Sequence, residues 1–156
     1  MNMIRIGLIS DTHGLLRPEA RVALKGVDRI IHAGDICNPE VLEQLGQIAP
    51  VIAVRGNNDK GAWAESLNDV ETMDVAGVKI HVIHDLHELP PDPQAAGIQV
   101  VVSGHSHKPM IKMERGVLFV NPGSAGPRRF KLPISLGFLE IVDGVPKARV
   151  QTLEVD

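Results

Sequence analysis

The stretch Ile4-Arg5-Ile6-Gly7-Leu8-Ile9-Ser10-Asp11-Thr12-His13-Gly14 decides the fold. Its first half is short, apolar and rich in Ile, which reads as a strand buried on both faces. Its second half is polar and turn-forming. The same sequence of events recurs twice downstream. Asp28 to His32 runs into Ala33-Gly34-Asp35, and Val51 to Val54 runs into Gly56-Asn57-Asn58-Asp59. Between these runs, Pro18 to Lys25 and Pro39 to Ile48 carry helical spacing. Each has Pro near its start, where a missing N–H costs nothing. The first third is therefore βαβαβ, which predicts an α/β fold with a parallel sheet and right-handed crossovers. A third helix is expected over Lys60 to Leu67.

The rhythm then turns to hairpins. Val70 to Val75 and Val78 to Ile83 flank Ala76-Gly77, and Met110 to Met113 and Val117 to Val120 flank Arg115-Gly116. Leu136 to Val142 and Val145 to Leu153 flank Asp143-Gly144, a strong turn pair. Pro90, Pro91 and Pro93 make one connection irregular, before a short helix ending near Gly97 and a buried strand over Ile98 to Val102. There is no internal repeat and no linker-like tract, so residues 1–156 are expected to form a single domain.

Composition narrows the function. A chain of 156 residues buries roughly 68–70% of its unfolded surface, enough for a core without disulfides. Lys plus Arg is 16 and Asp plus Glu is 19, a formal charge of −3 that gives no footprint for long nucleic acid. Aromatics are 3% of residues, with no Tyr, which weakens base-stacking platforms and aromatic hot spots. A single Cys37 excludes an internal disulfide and fits a reducing compartment. No apolar run is long enough to span a bilayer, and the first residues lack a signal-peptide layout. A cytoplasmic protein without a membrane partner is expected.

The seven histidines are not scattered. Chemically loaded clusters follow the ends of predicted strands: Ser10 to Gly14, Gly34-Asp35, Gly56 to Asp59, His84-Asp85, Gly104-His105-Ser106-His107 and Asn121-Pro122-Gly123-Ser124. Open α/β folds place their sites outside the carboxyl ends of strands, so these clusters are expected to converge. The set would then be Asp11, His13, Asp35, Asn57, His84, His105 and His107. This mixture of N and O donors suits Mn, Fe, Zn, Co or Ni better than Ca or Mg. It is too large for one tetrahedral ion and about right for two.

In order and spacing these clusters resemble the calcineurin-like metallophosphoesterases, and most nearly their small YfcE-type phosphodiesterases. The resemblance runs over nearly the whole chain, including Ile31-His32-Ala33-Gly34-Asp35 and Asn121 to Ser124. It implies a four-layer α/β/β/α sandwich of two mixed sheets flanked by helices. It implies one ion held by Asp11, His13, Asp35 and His107 and a second held by Asp35, Asn57, His84 and His105, with Asp35 bridging. Asp35, Asn57 and His13 would form the catalytic set. The ions would be manganese first, with Fe, Zn, Ni, Co or Mg as alternatives. The implied reaction is attack of a metal-activated hydroxide on a small phosphodiester, a nucleotide among the candidates. Two other functions share the fold: a phosphomonoesterase using the same site, and a scaffold similar to the retromer subunit Vps29. The complete donor set favours the enzyme.

Two positions depart from the wider superfamily. Asn58 stands where many relatives carry a His thought to protonate the leaving group, and Asn cannot give up a proton at neutral pH. His84 is followed by Asp85 where relatives usually have Gly. Among the remaining polar residues, His32 is expected either to support the ligands or to be a satisfied core residue, His81 to lie on the surface and His87 in a solvated loop. Asn121 to Ser124 either support the ligands or form a turn, and Arg128 and Arg129 read as surface charges. Family members often associate, so a homo-oligomer is open, although no stripe marks an interface.

Overall fold

Ten strands of the computed structural model, which describes residues 3–155, form two five-stranded sheets. In the first, β1 (Met3–Ile9) is central. It pairs in parallel with β2 (Arg29–His32), which pairs in parallel with β3 (Val51–Ala53). On its other side β1 runs antiparallel to β9 (Ser135–Val142), followed by β10 (Val145–Thr152). The second sheet has the order β4 (Val70–Val75), β5 (Val78–Ile83), β6 (Val100–Val102), β8 (Val117–Asn121), β7 (Met110–Glu114). Its middle strands β5, β6 and β8 are parallel. Both sheets are thus mixed, and each has three parallel strands ending at one edge.

Burial explains the layering. Ile6, Leu8 and Ile31 of the first sheet meet Ile80, Val100 and Val120 of the second in the central core. On the outer side of the first sheet, α1 (Pro18–Ala23) and α2 (Pro39–Gly46) are the covering helices. There Ala20, Leu24, Val41 and Leu45 join Ile9, Ile30 and Phe138. The outer side of the second sheet is covered more thinly. Ile83, Val101 and Val117 pack with Leu86, Leu89 and Phe119 beneath two 3-10 turns, Leu86–Glu88 and Pro93–Ala96. The expected four-layer plan is present with this one reduction. Pro90, Pro91 and Pro93 remove backbone donors that a helix would need.

Each expected hairpin carries a two-residue turn with both residues at positive φ. Ala76-Gly77 has φ 50 and 84, Arg115-Gly116 has 50 and 78, and Asp143-Gly144 has 50 and 81. Such turns match the right-handed twist of the strands they join. The helices are shorter than their spacing predicts. The third, α3, covers Ala62–Glu65, beginning after Gly61 at φ 101. His81 requires a correction: it is buried, not on the surface. It sits in β5 between Thr72 of β4 and Val101 of β6, and its Nδ1 lies 2.8 Å from the Thr72 hydroxyl. An interior strand shields even its outward side chains. No helix among the described residues is long and apolar enough to cross a membrane.

Candidate metal centre

The loops that leave β1, β2, β3, β5, β6 and β8 gather at one edge of the two sheets, and they carry every residue of the candidate set. Their backbones are strained where the chemistry is. Asp11, His13, Asp35, Cys37, His105 and His107 have φ of 54, 46, 58, 68, 70 and 62. Non-glycine residues rarely hold this left-handed conformation, and they persist in it where surrounding contacts over-determine it. Those contacts are present. Asp11 N–H donates to the Gly34 carbonyl at 3.0 Å, His13 N–H to Asp35 at 3.0 Å and Gly14 N–H to Ile36 at 2.7 Å. The first and second loops are laced together along their length.

Donor atoms face one another across gaps that suit a cation. Asp11 Oδ1 lies 3.5 Å from His107 Nε2, 3.9 Å from His13 Nε2 and 3.9 Å from His84 Nε2. Asp35 Oδ2 lies 3.8 Å from His13 Nε2 and 3.4 Å from His84 Nε2. Donors held about 2.1 Å from one ion stand about 3.0–3.4 Å apart. Asp11 Oδ1 and His13 Nε2 are buried with no hydrogen-bond partner. His84 donates from Nδ1 to the Ala33 carbonyl at 2.7 Å, which turns Nε2 toward Asn57 Oδ1 at 3.0 Å and Asp35 Oδ2 at 3.4 Å. A lone pair facing two oxygens needs a proton or a metal between them. His105 Nδ1 approaches the same Asn57 oxygen at 3.2 Å. These groups fit divalent ions. All seven residues converge, and two clusters stand out, Asp11 with His13 and His107, and Asp11 with Asp35 and His84.

Titration behaviour follows from burial and pairing. Burial pushes the Asp11 carboxyl up, and the Ser10 hydroxyl bond and nearby imidazoles only partly offset it. For Asp35 burial acts the same way but loses to hydrogen bonds from His84 and the Asn58 backbone, so this carboxyl stays well below the usual range. Burial opposes a charged His84, yet its bond to Asp35 and the Asp11 charge prevail, raising it. His107 is lowered by burial, with the Arg129 charge adding to it and Asp11 opposing. Deep burial takes His32 down to about 3. Burial and then the Asp59 carboxylate push the Cys37 thiol up to about 11, so it stays protonated beside His13 Nδ1, 3.6 Å away.

Several supporting residues are not evident from the sequence. The buried Asp59 accepts N–H bonds from Asp35 at 3.0 Å, Gly56 at 2.8 Å and Cys37 at 2.7 Å, which ties the β2 and β3 loops to one carboxylate. Asn58 donates its backbone N–H and its Nδ2 to the two oxygens of Asp35, both at 2.9 Å. Ser10 Oγ donates to Asp11 Oδ2 at 2.7 Å. His32 is a satisfied core residue that ties together residues beside the ligands: Gly34 N–H donates to its Nδ1, leaving Nε2–H for Thr12 Oγ1 at 3.0 Å. The Asn121 to Ser124 loop also supports, since Asn121 Nδ2 reaches the Gly104 carbonyl and Ser124 Oγ reaches that of Asp11. His87 is solvated, as expected. Beside the donors opens a cavity of about 430 Å³, lined by Arg55, Asn57, Lys60, His84, Asp85 and His105 among others.

Comparison with known proteins agrees with this geometry. The model of the calcineurin-like phosphoesterase superfamily domain matches residues 4–144. A Methanocaldococcus jannaschii protein described as a "probable metallophosphoesterase" is 38% identical over 132 residues, 76% of this chain and 67% of that protein. Phosphodiesterase YfcE of Escherichia coli is 28% identical over 170 residues, 88% of each chain. Among solved structures, vacuolar protein sorting 29 of Cryptosporidium parvum aligns with a TM-score of 0.76 at 21% identity, over 98% of this chain and 99% of that one, a likeness of fold. Because the family match runs from β1 to the β9–β10 turn and takes in every loop that carries a donor, the chain belongs to the calcineurin-like phosphoesterase superfamily.

Proposed function

We propose that residues 1–156 act as one domain that hydrolyses small phosphodiesters with two divalent metal ions, manganese foremost. One observation carries this reading. Three oxygens, Asp11 Oδ1, Asp35 Oδ2 and Asn57 Oδ1, face imidazole nitrogens of His13, His84, His105 and His107 at 3.0–3.9 Å, and the buried Asp11 Oδ1 and His13 Nε2 have no hydrogen-bond partner. Asp11, His13, Asp35 and His107 would hold one ion, and Asp35, Asn57, His84 and His105 the other. When bound, the ions supply charge to the phosphoryl oxygens and lower the pKa of water.

The chain's own residues do the rest. Asp35 is held ionised by Asn58 and His84, so it enters the reaction as an anion able to bridge. His13 Nε2 lies 3.8 Å from Asp35 Oδ2, and Asn57 Oδ1 faces His84 and His105. Asn58, tied to Asp35, offers no proton to a leaving group. Substrates whose leaving group departs readily are therefore favoured, and a diester carries less charge to stabilise than a monoester. The name of the E. coli relative points the same way.

The test is hydrolysis of bis-p-nitrophenyl phosphate by chelator-stripped protein with manganese added back, beside p-nitrophenyl phosphate. Activity that vanishes on stripping, returns with manganese and favours the diester is the expected result. A faster monoester would move the protein to phosphatase. Inactivity on both, with metal bound, would favour a scaffold, for which the fold likeness to vacuolar protein sorting 29 is the supporting observation.

A further inference from the structure

Positive φ at non-glycine residues has two explanations in this chain. Six such residues surround the metal centre, and Ala76, Arg115 and Asp143 lead hairpin turns. Among the described residues that leaves Phe130, at φ 53. A bulky residue is a true outlier there, and its ring is 88% exposed. The other aromatics are covered: Phe138 is buried beneath Arg5 and Arg149, and Trp63 and Phe119 are half-buried. In a chain with three Phe, one Trp and no Tyr, one ring is held outward by strained backbone.

Its surroundings are cationic. Gly126-Pro127-Arg128-Arg129-Phe130-Lys131-Leu132 contains three cations and no acid, and all three cations are exposed. Lys108, next in the chain to His107, joins Phe130, Lys131 and Leu132 around an open groove of about 600 Å³. The segment springs from the metal centre itself. Gly126 lies against the backbone of Asp11 and Thr12, and Arg17 holds the Gly126 carbonyl. Arg129 is within electrostatic reach of His107. Lys108 also lines a second cavity with Asp85, His105 and Asn121, and that cavity meets the one beside the donors at Asp85 and His105. Lys108 thus stands between that second cavity and the groove at Phe130, lining both.

We infer that Phe130, with Lys108, Arg128, Arg129 and Lys131, forms a nucleotide subsite, so that short single-stranded oligonucleotides are the substrate class. This subsite presupposes the phosphodiesterase reading, which seats the scissile phosphate at the metal centre. A base offers a flat apolar face to Phe130, and the flanking phosphates match the cations. One exposed ring suffices for one base, although the overall scarcity of aromatics excludes a longer stacking platform. The net charge of −3 disfavours long duplexes, whereas a few nucleotides need only this local patch. A symmetric contact with a second copy would set the same four cations against each other.

Binding of two cleavage-resistant ligands to manganese-loaded protein, read before turnover, tests the subsite: a phosphorothioate-linked thymidine trinucleotide, and an abasic phosphorothioate trimer of equal charge. Wild type should bind the thymidine ligand about tenfold more tightly. Phe130→Ala should erase that preference, Phe130→Trp should keep it, and Arg128→Gln with Arg129→Gln should flatten the salt dependence for both ligands. An unchanged preference in Phe130→Ala would overturn the inference. So would dissolution of an oligomer by that variant with the preference intact, which would make the ring a protein contact. Failure to hydrolyse the ordinary phosphodiester-linked trimer with the preference intact would overturn the substrate class and the phosphodiesterase reading, and would reduce Phe130 to a base-binding site.

Discussion

A single carboxylate, Asp59, organises the two loops that present Asp35 and Asn57. It accepts three backbone N–H groups, and each such bond to a charged acceptor is of the stronger kind. Asp59→Asn keeps the shape but replaces one accepting oxygen with a donor that faces N–H groups. We expect metal affinity to fall about 10–100-fold and stability to fall by about 1–3 kcal/mol. Manganese titration and urea unfolding of the variant measure the two effects, and unchanged affinity would remove Asp59 from the support of the centre. The seven candidate ligands were legible because each is a polar residue placed just past an apolar run. Asp59 stood in the same quoted cluster, yet nothing in a sequence distinguishes a carboxylate that gathers N–H groups from one that starts a turn. The burial of His81 is hidden for a related reason: alternation along β5 sets which face a side chain takes, and the cover on that face comes from strands elsewhere in the chain.

At the level of elements, the loops around the site are packed too tightly for an added carbon at Gly126. A Cβ there would collide with the carbonyl oxygens of Asp11 and Thr12. Gly126→Ala should therefore push the loop after β8 away from the loop after β1, costing about 1–3 kcal/mol and weakening metal binding. Gly46, at the end of α2, has open space around its Cβ position. Gly46→Ala should be neutral or stabilise by about 0.4–1 kcal/mol. Thermal melts of the pair check the contrast, and equal behaviour would contradict the packing account. Turn chemistry made the three hairpins legible. Helix lengths were not, because spacing cannot register that α3 begins only after Gly61 or that the second 3-10 turn begins only at Pro93. The pairing of β1 with β9, from opposite ends of the chain, also leaves no local signal.

For the whole molecule, acid stability should depend on His32. Folding keeps this imidazole neutral down to about pH 3, whereas the unfolded chain protonates it near pH 6.5. Its contribution is complete above pH 6.5 and is lost as the pH falls from there toward 3. His32→Gln removes the titrating group. The stability gap between wild type and variant should therefore narrow by about 2 kcal/mol from pH 7 to pH 5. Urea midpoints of both proteins at the two pH values measure it, and a constant gap would show that His32 titrates normally in the folded state.

We propose that six loops at one edge of the two sheets build a centre for two ions that work together through Asp35. Stepwise addition of manganese to chelator-stripped protein, with diester hydrolysis and bound metal followed at each step, tests it most directly. Activity should stay low through the first equivalent per chain and rise to its plateau at the second, and Asp35→Asn should abolish the plateau and lower the bound metal. Full activity at one equivalent, or an Asp35→Asn variant that binds two ions and hydrolyses the diester normally, would contradict the account.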